Sequence, residues 1–90
     1  MVSREVVVRN ATGLHARPAS VFVLEAKKFD SDVSVRNTRG SHKAVNAKSI
    51  MMVLSANIPA RATIEITCDG PDEDEALSAM VRLVEGGMGV

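Results

Sequence analysis

The sequence predicts an α+β fold, an open-faced β-sandwich in which a four-stranded antiparallel sheet carries three helices on one face. Two observations predict it. Several segments alternate apolar and polar residues with the period of a strand, while others repeat apolar residues every three or four positions, as helices do. Along the chain these segments follow the order strand, helix, two strands, short helix, strand, helix. Because the strands are apolar mainly on one face, the sheet is expected to be covered on one side only.

The predicted strands are Val2–Arg9, Val33–Arg36, a short one around Lys43–Asn46, and Ala62–Cys68. In the first strand, Val6 and Val8 share the face expected to point inward. The last strand is the clearest, since its apolar residues alternate with threonine and glutamate. Polar residues and a glycine in Asn37–Ser41 predict a loop or hairpin turn. His42 follows this turn and is predicted to be a solvated loop residue, because no acid, cysteine or second histidine stands at ligand spacing.

The predicted helices are Ala16–Phe29, a short segment capped by Ser49 and extending to Leu54, and a third that begins within Gly70–Glu75 and ends at Gly86–Gly87. Lys27 and Lys28 fall in the last turn of the first helix, where positive charge suits the helix dipole. In the third helix, Pro71 is expected at the first helical position, followed by four acids that complement the dipole. This acidic run lacks the ligand spacing of a calcium loop, so neither a metal nor another cofactor is expected.

Length and composition narrow the class of protein. The 90 residues are expected to form one domain, residues 1–90, with an ordinary apolar core. The eleven basic and eleven acidic residues cancel, and Phe22 and Phe29 are the only aromatics, which argues against nucleic-acid binding. The single cysteine, Cys68, suits a reducing compartment. With no signal peptide and no apolar run of membrane-spanning length, the protein is expected to be cytoplasmic and not inserted in a membrane.

The stretch Asn10–Ser20 concentrates the residues that can carry chemistry. Gly13 allows a turn and Pro18 belongs in the first turn of a helix, so His15 is expected at or just before a helix N-terminus. Unpaired N–H groups and partial positive charge at such an end attract phosphate, and Arg17 adds a planar, permanently charged fork. A neutral imidazole there can accept a phosphoryl group as a phosphoramidate. The alternative is that His15 is only a surface or capping residue.

Ser49 and the apolar residues after it form a second feature of interest. As a helix cap, Ser49 accepts hydrogen bonds from the first free N–H groups, and as a modification site it would place a phosphate at a helix N-terminus. Ile50, Val53 and Leu54 share a face, but so short a helix cannot bury them together with its two methionines. Exposed methionines are adaptable, and such a patch suits docking onto several partners.

The run Gly13–Ala19, GLHARPA, resembles the active-site signature of HPr, the histidine-containing phosphocarrier of the bacterial phosphoenolpyruvate-dependent sugar phosphotransferase system. Lys48–Met51 resembles the family's regulatory-serine segment, and the order of elements agrees over essentially the whole chain. The resemblance implies that His15 is the phosphoacceptor through Nδ1, as a pros-phosphohistidine. It also implies that Arg17 balances the phosphoryl charge and that the backbone of Ala16 and Arg17 binds the phosphate. Such a protein is not an enzyme, because other proteins phosphorylate and dephosphorylate it.

The resemblance also implies a set of partners. Enzyme I would supply the phosphoryl group from phosphoenolpyruvate, and sugar-specific IIA domains would receive it. Ser49 would be modified by an ATP-dependent HPr kinase/phosphorylase, with a catabolite-control transcription regulator as a further partner. The chain is expected to be a monomer. The residues expected to dock partners are Ser20, Ile50, Met51, Met52 and Leu54.

Three alternatives to a sugar-branch carrier remain open from the sequence. A paralogue of the nitrogen-related phosphotransferase system would keep the same histidine motif. A regulatory binding module of the same fold would act through Ser49, although HPr-like regulators can lack the histidine that stands here at position 15. A small-ligand-sensing or RNA-binding α/β-plait domain is disfavoured by the scarcity of aromatics and the balanced charge. Two features depart from the family pattern: Met52 stands where relatives with a regulatory serine often have glycine, and the loop over residues 37–43 is longer.

Overall fold

The computed structural model describes residues 1–39 and 43–89, so the prediction for His42 and the end of its turn lies outside the described residues. Its elements are β1 Val2–Val7, α1 Ala16–Ala26, β2 Asp32–Asn37, β3 Val45–Asn46, α2 Ile50–Ser55, β4 Thr63–Asp69, α3 Glu73–Glu85 and a short 3₁₀ turn, Gly87–Gly89. The strands pair antiparallel in the order β1-β4-β2-β3. The predicted fold class, element order and four-stranded antiparallel sheet are confirmed.

The pairing register separates a covered face of the sheet from an open one. Val6 of β1 lies opposite Ile64 of β4, and both are buried. On the other face, Arg36 of β2 lies opposite Glu65 and donates to it, with Nη2 and Oε1 3.2 Å apart. α3 packs on β1 and β4, while α1 packs against α3 and α2. The helices therefore cover the apolar face and leave the polar face to solvent.

One continuous apolar core fills the space between the sheet and the helices. Its largest fully buried side chains include Phe22, Leu14, Ile58, Ile64, Ile66, Met80 and Met88. Leu14 and Ile58 belong to loops rather than to helices or strands, yet neither exposes any surface. The loop before His15 and the segment after α2 are thus both anchored in the core, which fixes the position of the histidine.

Several element bounds differ from the prediction by one or more residues. α1 ends at Ala26 rather than Phe29, so Lys27 becomes its C-cap residue and Lys28 follows the helix, where its Nζ lies 2.9 Å from Glu25. The N–H groups of residues 27–29 bond back to α1, and those of Asp30 and Ser31 bond to a distant carboxylate, described below. β1 ends two residues earlier than predicted, and β3 pairs over two residues rather than four.

The third helix begins within the predicted range, Gly70–Glu75, but the placement of Pro71 at its first position is wrong, and the correction reveals a tertiary contact. α3 begins at Glu73 rather than Pro71, and the N-cap residue Asp72 makes no capping hydrogen bond. Its carboxylate instead accepts hydrogen bonds from the backbone N–H groups of Asp30 at 3.0 Å and Ser31 at 2.9 Å, and from the Ser31 hydroxyl. Asp72 therefore ties the turn after α1 to the start of α3.

These hydrogen bonds make stability depend on acidic pH. The Ser31 hydroxyl, followed by the Asp30 N–H, holds the pKa of the Asp72 carboxyl below its ordinary value of 3.8. A carboxyl whose pKa is lower in the folded chain stabilises the fold above about pH 4 and loses that contribution as the pH falls further. We expect Asp72→Asn to lower the free energy of unfolding at pH 7 and to flatten its decline below about pH 4, measured by urea unfolding. Asp74→Asn, an exposed acid in the same helical turn, is the matched control. Parallel curves for wild type and Asp72→Asn in acid would contradict this account.

Cys68 is a core residue rather than a reactive thiol. It is fully buried in β4. Burial, aided by the nearby Asp72 and Glu73 carboxylates, raises the pKa of its thiol to about 11. The thiol therefore stays protonated near neutral pH, and its chemistry plays no part in the site described next.

Candidate phosphoryl site

His15 lies at the N-cap of α1, as predicted. Its backbone is extended, with φ −131° and ψ 159°, and its side chain makes no capping hydrogen bond. The alternative that the His15 side chain serves as a helix cap is therefore wrong. The imidazole is half-buried, so it is held by its surroundings while remaining reachable from solvent.

The backbone just after His15 offers two unpaired donors. Ala16 has φ +54°, in the left-handed region that a residue with a Cβ rarely adopts, at a cost of about 1 kcal/mol. No residue in the described ranges accepts a hydrogen bond from the N–H of Ala16 or of Arg17. Both N–H groups lie at the positive end of the helix, where they can donate hydrogen bonds to a phosphate oxygen. Strain of this kind persists only where the surrounding structure imposes it, and it clusters at functional sites.

The loop before His15 is held by the segment that follows α2. The N–H of Leu14 donates to the carbonyl oxygen of Ile58 at 3.0 Å, and both side chains are fully buried. Gly13 has φ +67°, and a Cβ built on it would lie 2.4 Å from the Ile58 oxygen and 2.7 Å from the Ala60 nitrogen. Only glycine fits this approach, so the predicted turn at Gly13 is confirmed and has a steric reason as well.

Asn10 fixes the same loop from inside. Its Nδ2 donates to the carbonyl oxygen of Gly13 at 2.7 Å and to Oγ1 of Thr12 at 3.1 Å. The side chain is 6% exposed, and its Oδ1 has no partner among the described residues. Sequence reasoning treated Asn10 as an ordinary turn residue and did not foresee its contact with Gly13 or the packing of residues 58–60 against the loop. The asparagine directly before the glycine-containing turn was the one available signal.

Positive charge around His15 is not compensated nearby. Arg17 is exposed and forms no ion pair with the part of the chain that the structure describes. The sequence contains no acidic residue between Glu5 and Glu25. Ser20, predicted as a docking residue, is exposed on the next turn of α1. The site therefore combines an imidazole, free N–H donors and an available guanidinium.

α2 carries the second predicted feature, the Ser49 cap followed by exposed apolar residues. Ser49 is its N-cap, and Oγ accepts from the N–H of Met52 at 3.3 Å, which confirms the predicted cap. The prediction that so short a helix leaves apolar residues exposed is confirmed: Val53 is buried, whereas Ile50 and Leu54 are 37% and 40% exposed. The helix has six residues and packs against α1 and β3, so it buries a single narrow stripe.

The exposed apolar side chains of α1 and α2 define a docking patch, made of Leu24, Ile50, Met51, Met52 and Leu54. Met51 is 75% exposed and Leu24 62%. Leu24 was not foreseen, because it lies off the apolar stripe of its helix. The helices that carry these residues are in contact, so the patch extends over both of them.

Comparison with known proteins identifies the family. The family model PTS-HPr, described as the PTS HPr component phosphorylation site, matches residues 2–86. The chain belongs to the HPr family. It is 42% identical over 85 residues to the HPr-like protein Crh of Halalkalibacterium halodurans, covering 94% of this chain and 98% of Crh. It is 40% identical over 82 residues, 91% of its length, to the multiphosphoryl transfer protein of Vibrio cholerae, of which it spans only 20%.

A solved structure agrees with the HPr assignment. HPr-C-His from Thermoanaerobacter tengcongensis superposes with a TM-score of 0.91 at 40% identity, over 100% of this chain and 98% of that one. The chain is thus an HPr-family phosphocarrier, as the GLHARPA motif indicated. Within residues 1–39 and 43–89, no helix is long and apolar enough to cross a bilayer, and no group of three or more His, Cys, Asp or Glu side chains is placed to hold a metal.

Proposed function

We propose that this HPr-family chain accepts a phosphoryl group on Nδ1 of His15 from phospho-Enzyme I and passes it to sugar-specific IIA domains. The observation that carries the proposal is the uncapped, half-buried imidazole at the start of α1, next to the unpaired N–H groups of Ala16 and Arg17. The family description, a phosphorylation site of the PTS HPr component, supports phosphorylation of this chain.

The geometry supports a simple in-line transfer. The neutral imidazole attacks phosphorus, the bond from phosphorus to the donor breaks, and a nitrogen–phosphorus bond forms. The N–H groups of Ala16 and Arg17 and the Arg17 guanidinium balance the charge on the phosphoryl oxygens. His15 returns to its free state when an acceptor protein attacks the same phosphorus. The chain is therefore a substrate and donor for phosphotransferases rather than a catalyst.

Partner docking is assigned to Ser20 and to the docking patch. The patch extends over α2 and α1, the helix that follows His15, and methionine side chains adapt to differently shaped partners. One apolar surface can therefore serve both the donor and several acceptors, with the chain acting as a monomer.

Labelling with phosphoenolpyruvate tests the carrier function. The protein is incubated with catalytic Enzyme I and phosphoenolpyruvate, and we expect stoichiometric, acid-labile phosphate that a IIA domain removes. His15→Ala should accept none, while His42→Ala, which removes the other histidine of the chain, should label normally. Absence of labelling in the wild type, or labelling of His15→Ala, would refute the proposal. Labelling by a nitrogen-branch Enzyme I alone would favour the nitrogen-related paralogue.

A second, regulatory function at Ser49 is favoured by a separate observation. Its Oγ already sits at the start of α2, next to the docking patch, and one relative is the HPr-like protein Crh. We propose that an HPr kinase/phosphorylase modifies Ser49 with ATP, and that the modified chain binds a catabolite-control transcription regulator. A phosphate here adds nearly two negative charges beside the apolar patch.

The Ser49 proposal predicts a kinetic effect. Phosphorylation by an HPr kinase and ATP should give an acid-stable phosphate and slow the later labelling of His15 by Enzyme I, measured as initial rate. Ser49→Ala should take up no acid-stable phosphate and keep the unmodified labelling rate, at a loss of about 1 kcal/mol of stability from the missing cap. Identical labelling rates with and without the Ser49 phosphate would contradict the regulatory role.

A further inference from the structure

A polar groove lies at the end of the sheet that carries the His15 loop. It has a volume of about 480 Å³ and is lined by Asn37, Thr38, Arg39 and residues 59–63. This volume falls in the range typical of small-molecule sites. Two of its lining residues, Pro59 and Ala60, also lie against the backbone of Gly13, but none of residues 13–17 lines the groove. The groove is therefore distinct from the phosphoryl site.

The charge in this groove is unbalanced. Arg39 and Arg61 both line it, both are exposed, and neither forms an ion pair with the described residues. No carboxylate lines the groove, and the sequence contains no acidic residue between Asp32 and Glu65. Two guanidinium groups without a counter-charge around one concavity favour an anion with several oxygens, because each planar fork can bind two of them.

Three backbone N–H groups of the groove are already hydrogen-bonded within the fold. The N–H of Arg61 donates to the Val8 oxygen at 2.8 Å and that of Thr38 to the Thr63 oxygen at 3.1 Å. The N–H of Arg39 donates to Oδ1 of Asn37 at 3.0 Å. The positive charge for binding an anion therefore comes from the two arginine side chains.

Two further side chains indicate what the anion carries. Oδ1 of Asn37 is occupied by the Arg39 N–H, which leaves Nδ2 free to donate. The Thr38 hydroxyl donates to the Thr63 carbonyl oxygen at 2.9 Å, so it can only accept a hydrogen bond from a ligand. Asn37 thus offers a hydrogen-bond donor and Thr38 an acceptor. Together they match the hydroxyl group of an alcohol, which can both accept and donate a hydrogen bond.

Arg61 also occupies a strained backbone position. Its φ is +67°, in the left-handed region that favours glycine or asparagine. An arginine held there by its hydrogen bond to Val8 is the kind of outlier that marks a functional position. We propose that the groove binds a small phosphorylated polyol, with the phosphate on Arg39 and Arg61 and a hydroxyl on Asn37 and Thr38.

The test uses three matched probes in ¹H–¹⁵N NMR titrations: glycerol 3-phosphate, inorganic phosphate and glycerol. We expect saturable shifts at residues 37–39 and 61–63 with glycerol 3-phosphate, binding about fivefold weaker for inorganic phosphate, and none for glycerol. Arg39→Gln and Arg61→Gly should each weaken binding about tenfold, while Arg82→Gln, an exposed arginine on α3, should have no effect. Glycine suits the backbone at position 61, so Arg61→Gly removes the guanidinium without threatening the fold.

Several outcomes would overturn the proposal. Shifts confined to Ala16 and Arg17 would place the anion at the phosphoryl site instead. Equal binding of inorganic phosphate would remove the role of Asn37 and Thr38. An equal loss of binding affinity in Arg82→Gln would show that binding depends on overall charge alone. None of these outcomes bears on whether Enzyme I phosphorylates His15.

Discussion

Gly13→Ala is expected to destabilise the protein by about 2 to 4 kcal/mol and to displace His15. Two costs add. The left-handed φ of +67° disfavours alanine, and the new Cβ would lie 2.4 Å from the Ile58 carbonyl oxygen and 2.6 Å from the Pro59 carbonyl carbon. These are backbone atoms and cannot rotate away. A domain of 90 residues has roughly 5 to 13 kcal/mol of stability in all, so the loss would be large.

Gly87→Ala is the matched control for this prediction. Gly87 also has a positive φ, +80°, but a Cβ there meets nothing within 4 Å. Gly87→Ala should therefore lower the free energy of unfolding by only about 1 kcal/mol, the part of the effect that comes from the backbone conformation. Urea unfolding measures both variants, and phosphoryl uptake of folded Gly13→Ala should be slowed because the imidazole moves. Equal destabilisation by the two substitutions would show that the contact with residues 58–60 contributes nothing.

Arg17→Ala is expected to slow phosphoryl uptake by at least about 100-fold, because it removes the guanidinium that we propose balances the charge of the transferred group. Its stability should stay within about 0.5 kcal/mol of wild type, since the side chain is exposed and forms no ion pair with the described residues. Rapid-quench labelling from phospho-Enzyme I measures the rate.

Two control variants distinguish a specific role of Arg17 from an effect of overall charge. Arg17→Lys should recover part of the rate, because lysine restores the charge but not the planar fork. Arg82→Ala, with the same change in net charge on α3, should label at the wild-type rate. If Arg17→Ala and Arg82→Ala slow uptake equally, the effect is one of overall charge and the assigned role of Arg17 is wrong.

Local patterns were sufficient to predict the elements and the centre of the site. Pro18 in a first turn and the stripe through Phe22 placed His15 at a helix start, and Ser49 was predicted as a cap. These features depend on residues within one or two turns of each other. The sequence therefore encodes them directly, and the structure agrees with them.

Contacts between distant residues could not be predicted in the same way. Asp72 was expected to complement a helix dipole, but its carboxylate bonds to Asp30 and Ser31, more than forty positions away. Likewise, Gly13 was expected only to permit a turn, while its main constraint comes from Ile58. Such contacts depend on how elements pack in space, and a single sequence carries no periodic signal for them.

The most direct test of the carrier mechanism is to locate the phosphoryl group after labelling by Enzyme I. In ¹⁵N-histidine-labelled protein, we expect phosphorus–nitrogen coupling on Nδ1 of His15 and large amide shifts at Ala16 and Arg17, whose N–H groups have no partner in the described residues. Phosphorus on Nε2 or on another residue, or amide groups at positions 16 and 17 that do not respond, would contradict the account.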